Sequence, residues 1–294
     1  MTSVSLRRAD RDDVDFVLDL VGHEDVEPFL GAASAAERES VACEVDRSLA
    51  DPHDFGRFVI EVDGERAGMC GFELANRRSA IAHLERLAVH PRFRGRRISD
   101  DAAGILQRHL FHDLGYHRLQ LEIYGFNERA QHHAERAGYV REGVKRKAYW
   151  RHGDWVDGVL YGLVAEDVDL PAGVRLLHDH LVRFNEGVRT GDWTQMLECF
   201  SDDAELVFDG VPAGPYSGRD AIAAAYAAQP PDDQIVTLRV DADGDDVVAR
   251  YAWRREPALV AGRMLVTPRA GAIARLVVTF EDGLEWRDQP RLKR

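Results

Sequence analysis

Four arginines crowd into six residues, Arg92 to Arg97, within the stretch LERLAVHPRFRGRRISDDAAG that begins at Leu84. An alternating, strand-like run precedes them, and a helix-like pattern with Ser99, Asp100 and Asp101 in its first turn follows. A strand that delivers a short loop onto a helix N-terminus aims unpaired N–H groups and the positive end of the helix dipole at one point. Adding Arg92, Arg94, Arg96 and Arg97 makes that point a site for phosphate. The same text also fits a solvated basic loop capped by Ser99, with Asp100 and Asp101 well placed at a helix start. Other reactive types are scattered. His109, His112 and His117 approach one another, but Gly115 is expected to end their helix before His117, and no cysteine or carboxylate set completes a cluster, so no metal site is expected.

The elements that must position the loop read as follows. Strand Val4 to Arg8 precedes helices near Arg11 to Val21 and Ala35 to Leu49. A hairpin, Arg57 to Val62 and Arg66 to Leu74, turns through Asp63-Gly64. Then come strand Ile81 to Val89, helix Ser99 to Leu114, strand Arg118 to Tyr124, helix Glu128 to Ala137, and strands near Gly143 to Trp150 and Trp155 to Leu163. Strands and helices do not alternate regularly, which predicts an α+β sheet of mixed direction. The polar segment AEDVDLPAG, Ala165 to Gly173, separates this text from a strongly periodic helix and sets the expected domains at 1–167 and 168–294.

Composition narrows the function. With 294 residues and 45% hydrophobic content the chain holds about two cores and is not disordered throughout. A formal charge of −13 opposes a nucleic-acid backbone, and no apolar run is long enough to span a bilayer. Three widely spaced cysteines and an N-terminus without an apolar signal core predict a cytoplasmic protein without a disulfide frame. Within the first domain, residues 1–85 hold 9 basic and 19 acidic side chains while 86–151 hold 14 and 7. One half suits a cation and the other a polyanion.

The loop resembles that of the GCN5-related N-acetyltransferases, whose acyl-CoA loop reads Arg/Gln-x-x-Gly-x-Gly/Ala. Arg94 takes the first position, Arg97 the fourth and Ser99 the sixth, with Gly95 and Arg96 at variable places; two of the three fixed positions differ. The following text, NERAQHHAERAGYVREGVKRKAYWRHGDWVDGVLYGLV, is similar to the end of the RimJ/RimL-type branch through Asn127, Gly138-Tyr139, Glu142-Gly143, Arg146, Gly153, Asp157 and Tyr161. The resemblance covers about residues 4–165. It implies a mixed sheet flanked by helices, acetyl-CoA as co-substrate, and cofactor contacts at Leu87, Val89, Arg94, Gly95, Arg96, Arg97, Ile98, Ser99 and Asn127, with pantetheine pairing to the Val89 strand as though extending the sheet. Asn127 also fits a helix N-cap before Glu128.

Acetyl transfer needs an amine with a free lone pair and a donor for the oxyanion. Period-two alternation puts His83, Glu85, Leu87 and Val89 on one strand face. Glu85, which also attracts an ammonium, and then His83, whose ordinary pKa of roughly 6.5 suits proton transfer, are the expected bases. The competing reading for Glu85 is an ion pair with an arginine on an adjoining strand. Relatives carry a general-acid tyrosine where this chain has Ala134, leaving Tyr124, Tyr139 and Tyr149 as other donors.

The second domain reads as helices over a curved antiparallel sheet. Its phrases TGDWTQMLECFSDDAELVFDG, YSGRDAIAAAY and GAIARLVVTFE resemble the SnoaL-like branch of the NTF2-like superfamily, whose members fold a cone around an apolar cavity. Asp209 lies near the base position of ketosteroid-isomerase-like members, but Phe184 and Arg263 occupy the donor positions and cannot serve as neutral acids. Cones of this type often pair, so substrate binding and homodimerisation through this domain both stay open. The expected function is an acetyl-CoA-dependent N-acetyltransferase acting on a small-molecule or peptide amine, with no nucleic-acid or membrane partner. The alternative is a non-catalytic binding protein for CoA or an apolar ligand, in which Arg97 has spoiled the loop.

Overall fold

The computed structural model describes residues 3–30, 37–286 and 291–293. The chain divides into two compact units. One gathers Met1–Phe111, Tyr116–Val168 and the C-terminal residues, and the other His112–Gly115 and Asp169–Asp288.

The first unit contains β1 (Val4–Arg8), α1 (Val14–Val21), α2 (Arg38–Ala50), β2 (Phe55–Val62), β3 (Glu65–Asn76), β4 (Ile81–Val89), α3 (Ile98–Arg108), β5 (Arg118–Tyr124), α4 (Glu128–Arg136), β6 (Val140–Arg151) and β7 (Asp154–Val164). The expected start of α2 at Ala35 falls outside the described residues. Helix α3 is shorter than its periodicity predicts, because the chain widens into a π turn over His109–Asp113, across which Leu110 and Phe111 are both buried. The strands form one sheet in the order β1-β2-β3-β4-β5-β7-β6. The β2–β3 hairpin closes through Asp63 and Gly64, both with positive φ, as a two-residue turn between twisted strands requires. Leu6, Ile60, Phe72 and Leu119 fill the interior at alternating positions of their strands.

Between β4 and β5 the sheet opens. These strands run parallel and pair only at Ile81–Arg118, Ala82–Leu119 and His83–Gln120, although β4 continues to Val89 and β5 to Tyr124.

The second unit contains α5 (Ala172–Thr190), α6 (Thr194–Leu197), β8 (Phe200–Asp209), β9 (Tyr216–Ser217), α7 (Arg219–Ala228), β10 (Ile235–Asp243), β11 (Asp246–Trp253), β12 (Leu259–Arg269) and β13 (Ala272–Glu285). Helix α5 buries Val174, Leu177, Leu181 and Phe184, the i, i+3, i+7, i+10 stripe that its sequence announces, and stops at Gly191 with φ +78°. The sheet order is β10-β11-β12-β13-β8-β9. All its pairs are antiparallel except β13 with β8. That parallel pair departs from the wholly antiparallel expectation: three successive hairpin returns after α7 bring β13 beside β8 in the same direction.

Candidate active site

A cleft of about 980 Å³ occupies the opening between β4 and β5, lined by Leu84–Val89 on one wall and Leu121–Tyr124 on the other. The unpaired length of both strands leaves backbone N–H and C=O groups facing the cleft instead of each other, and such groups need partners when buried. At one end lie Phe93–Gly95 and Arg97–Ser99 of the basic loop; the same cleft reaches Asn127, His133, Ala134 and Tyr149.

The loop forms the anticipated bend. Gly95 has φ +80° and Arg97 adopts the left-handed conformation, φ +56° and ψ +20°, as the N-cap of α3. Arg97 therefore takes the backbone shape for which glycine is the usual residue, at a cost of roughly 1–2 kcal/mol. Ser99, expected to cap the helix, instead sits inside its first turn, and no side chain caps α3. Among the described residues Arg96 and Arg97 have no ion-pair partner, and both side chains are exposed. Arg92 faces Glu65 at 3.4 Å. Arg94 donates to the Asp25 backbone oxygen at 2.9 Å and lies 3.5 Å from its carboxylate. The loop thus presents two unengaged guanidinium groups beside a helix N-terminus, with Ile98 buried beneath.

The alternation expected along β4 does not run through to Val89. Arg86 has φ +59°, and pairing with β3 passes from Gly71–Glu85 to Met69–Ala88, so one extra residue is inserted. This bulge places Glu85 and Ala88 on one face, and Leu87 and Val89 fall out of phase with His83 and Glu85. Glu85 lines the cleft, but its Oε1 lies 2.6 Å from the Arg57 guanidinium, which reaches across β3 from β2. Arg57 also pairs with Glu44 of α2 at 2.9 Å, and Glu44 with Arg86 at 2.7 Å. The arginine comes from two strands away, not from the adjoining strand. His83, half-buried on the same wall, has no side-chain partner among the described residues.

Asn127 caps α4, its side-chain oxygen accepting from the Ala130 N–H at 3.1 Å, and lines the cleft as well. Ala134 is buried on the same helix. Of the three tyrosines considered as donors, all line the cleft. Tyr139 is fully enclosed, and burial pushes its phenol well above the ordinary range. Tyr149 is pushed up to about 12, first by burial and then by Glu122. The Cys70 thiol on the cleft wall is likewise pushed up to about 12 by burial, which makes it inert.

Sequence reasoning passed over Glu122. On β5 it alternates with Leu121 and Ile123, and its side chain sits against Tyr149 at the glycine surface of β7. Its Oε2 accepts from Lys145 at 2.7 Å, while Oε1 is buried against Gly158 beside the Tyr149 phenol. A signal was available in the sequence: Glu122 is the one acidic residue in the strand between Arg118 and Tyr124.

Comparison with known proteins gives this geometry its family. Residues 20–139 match the acetyltransferase (GNAT) family, and residues 181–286 match the SnoaL-like domain. The first unit is an acetyltransferase domain of the GNAT family, and the second is a SnoaL-like domain. The chain is 26% identical over 121 residues to an uncharacterized N-acetyltransferase of the SPbeta prophage of Bacillus subtilis, covering 41% of this chain and 67% of that one. It is 24% identical over 157 residues to the spermidine N(1)-acetyltransferase of Escherichia coli K12, covering 53% and 83%. Among solved structures, a RimL ribosomal L7/L12 α-N-protein acetyltransferase in complex with coenzyme A shares the fold with a TM-score of 0.51 at 18% identity, over 57% of this chain and 97% of that one. A spermidine N-acetyltransferase chimera from Vibrio cholerae and human sequences does so with a TM-score of 0.51 at 18% identity, over 56% and 96%.

The co-substrate of the GNAT family is acetyl-CoA, and the residues here suit it. The split between β4 and β5 offers main-chain partners for pantetheine amides, and the left-handed Arg97 with its free guanidinium suits a diphosphate.

In the SnoaL-like domain, Asp209 is exposed at the end of β8, Phe184 is buried, and Arg263 pairs with Glu281 at 2.8 Å. The aromatic residues pack on one another, Trp193 against Tyr226 at 4.9 Å between ring centroids and against Phe184 at 5.6 Å. These residues do not make the proton-transfer constellation of a ketosteroid isomerase. Among the described residues, no group of histidine, cysteine or acidic side chains is disposed to hold a metal ion, and no helix is long and apolar enough to cross a membrane.

Proposed function

We propose that the first domain, residues 1–167, moves an acetyl group from acetyl-CoA to a primary amine by direct attack within a ternary complex, and that the second, 168–294, serves substrate binding or self-association. The observation that carries this reading is the parting of β4 and β5 in one cleft with a loop whose Arg96 and Arg97 have no ion-pair partner among the described residues. Arg94, Gly95, Arg96, Arg97, Ile98 and Ser99 would hold the diphosphate, with Leu87 and Val89 beside pantetheine and Asn127 near its amide end. The co-substrate supplies a thioester carbonyl. An amine nitrogen forms the new N–C bond there, the C–S bond breaks, and the departing thiolate takes up a proton. Because a thiolate is only a weak base, water in an open cleft suffices as that donor.

The proton leaving nitrogen passes to the cleft wall. On β4, His83 carries a ring without a partner among the described residues, whereas Glu85 must exchange its Arg57 contact before serving as base. The acceptors named for relatives, spermidine and a protein α-amine, mark the class of substrate. Three free cysteines, two of them buried, accord with work in a reducing cytoplasm.

The test is a thermal-shift titration with acetyl-CoA, paired with thiol release across an amine panel. A ligand held only by the folded state raises the melting temperature by mass action. A shift with thiol release supports the transferase. A shift without release leaves a CoA-binding protein, and no shift at saturating acetyl-CoA refutes both. In the transferase, Glu85→Gln and His83→Gln are each expected to lower kcat while leaving the cofactor-induced shift intact, with the larger loss at His83.

A further inference from the structure

The rim of the cleft carries a row of aromatic rings. Phe29, in the single helical turn Glu27–Phe29 after α1, lines the cleft, as do Tyr124 at the end of β5 and Tyr149 on β6. Phe126, just beyond β5, extends the row. Its ring stacks on Tyr124 at 5.5 Å and lies 6.1 Å from Phe29, while Tyr149 meets Tyr124 edge to face at 5.3 Å. Arg151 braces this shelf, donating to the Leu30 carbonyl at 3.0 Å with its guanidinium 5.4 Å from the Tyr124 ring. Phe29 and Phe126 nevertheless remain 38% and 40% exposed. Single apolar side chains on a surface are ordinary, but rings in mutual contact at the mouth of a cleft leave apolar area in water that a ligand can cover.

The charges of the cleft point the same way. Among the described residues three carboxylates line it, and each faces a basic side chain: Asp25 lies 3.5 Å from Arg94, Glu85 2.6 Å from Arg57, and Glu122 2.7 Å from Lys145. A cation of several charges finds no uncommitted anion on these walls, and at the rim it meets Arg129, 5.6 Å over the Phe29 ring. Resting on the acetyltransferase reading, we propose that the acceptor is a primary amine carried on a planar aromatic body, and that Phe29 and Phe126 are the residues that select it. The ring of the acceptor joins the row of rings at the rim, and its amine reaches down the cleft to the thioester. Polyamines, whose further charges lose water without gaining a partner, are poor acceptors. In this the chain departs from the spermidine acetyltransferases to which it is similar.

The experiment uses the full chain and measures kcat and KM by thiol release for 2-phenylethylamine, n-butylamine and spermidine, together with the acetyl-CoA thermal shift. The wild type is expected to favour 2-phenylethylamine over each of the others at least tenfold in kcat/KM. Phe126→Ala and Phe29→Ala, both at exposed rings, are each expected to raise KM for 2-phenylethylamine about tenfold. The change in KM for n-butylamine, in kcat and in the cofactor shift should be much smaller. Phe126→Trp, which keeps a flat ring, is expected to restore the preference that Phe126→Ala loses. Equal kcat/KM across the three amines or a preference for spermidine overturns the inference. So does a KM for 2-phenylethylamine that neither alanine variant changes, or a loss in both variants that is the same for all three amines. A wild type that releases thiol with none of them, or shows no cofactor shift, instead refutes the transferase reading beneath it.

Discussion

The two sheets use their interiors in opposite ways. In the acetyltransferase domain the sheet is cut between β4 and β5, and the cut exposes main-chain groups, histidines, carboxylates and tyrosines to one cleft. In the SnoaL-like domain helices and sheet together bury Phe184, Trp193, Phe200, Tyr226 and Tyr251 in a continuous apolar cluster. Backbone left unpaired is unstable without a ligand, whereas packed rings are stable without one. The first arrangement suits chemistry on a bound thioester; the second suits a support or a binding partner. If this contrast holds, substitutions in the second domain should change stability, and substitutions at the cut should change ligand affinity or turnover.

The largest effect is expected at Trp193, which lies between Phe184 and Tyr226 and against Gly187, where a Cβ would sit 2.5 Å from the indole. Trp193→Ala removes the centre of that cluster and should destabilise the protein by about 3–5 kcal/mol. Urea unfolding measures the loss, and acetyl-CoA affinity under native conditions should be unchanged. A large drop in cofactor affinity without loss of stability would break the division between the domains.

His180 gives the same contrast a pH dependence. It is buried on α5, its Nδ1 has no partner, and Phe200 meets its ring edge-on at 5.2 Å. Burial first, and nearby Arg183 second, lower its pKa from 6.5 to about 4. Between those values the unfolded chain binds a proton that the folded chain does not, so stability is full above about pH 6.5 and falls as pH drops toward 4. The slope is roughly 1.4 kcal/mol per pH unit, about 3 kcal/mol in all. Denaturation at a series of pH values should show this loss in the wild type and a flatter profile in His180→Phe. Equal slopes would assign the acid sensitivity to other groups.

The order of elements and the phosphate loop were legible in the sequence because they depend on local signals: turn residues, periodicity and clustered arginines. The cleft chemistry was less legible because it depends on register. One inserted residue at Arg86 inverts the face of Leu87 and Val89, and nothing in the type of Arg86 announces a bulge. The partner of Glu85 is Arg57, 28 positions earlier and on a strand that does not touch β4. Glu122 was hidden for a related reason, since its contacts with Lys145 and Tyr149 across β7 are a property of packing and not of spacing. In the second domain the parallel β13–β8 pair was likewise invisible, because strand direction follows from how many times the chain turns back, not from either strand's residues.

The smallest effect is the sharpest test of what the cut in the first sheet is for. Arg97 holds a left-handed conformation that its Cβ disfavours and that glycine adopts freely. If the guanidinium does nothing there, Arg97→Gly is purely favourable, relieving roughly 1 kcal/mol of strain. If the guanidinium contacts the diphosphate, the same change removes a charge-assisted hydrogen bond of about 1.5–3 kcal/mol, so stability should rise slightly while acetyl-CoA affinity falls by roughly tenfold or more. Thermal denaturation without ligand and calorimetric titration with acetyl-CoA read the two effects separately. Opposite signs would show that the chain retains a strained arginine for its charge, and gains in both would mean that Arg97 is an obstruction in a loop whose binding rests on Arg94, Arg96 and the helix N-terminus.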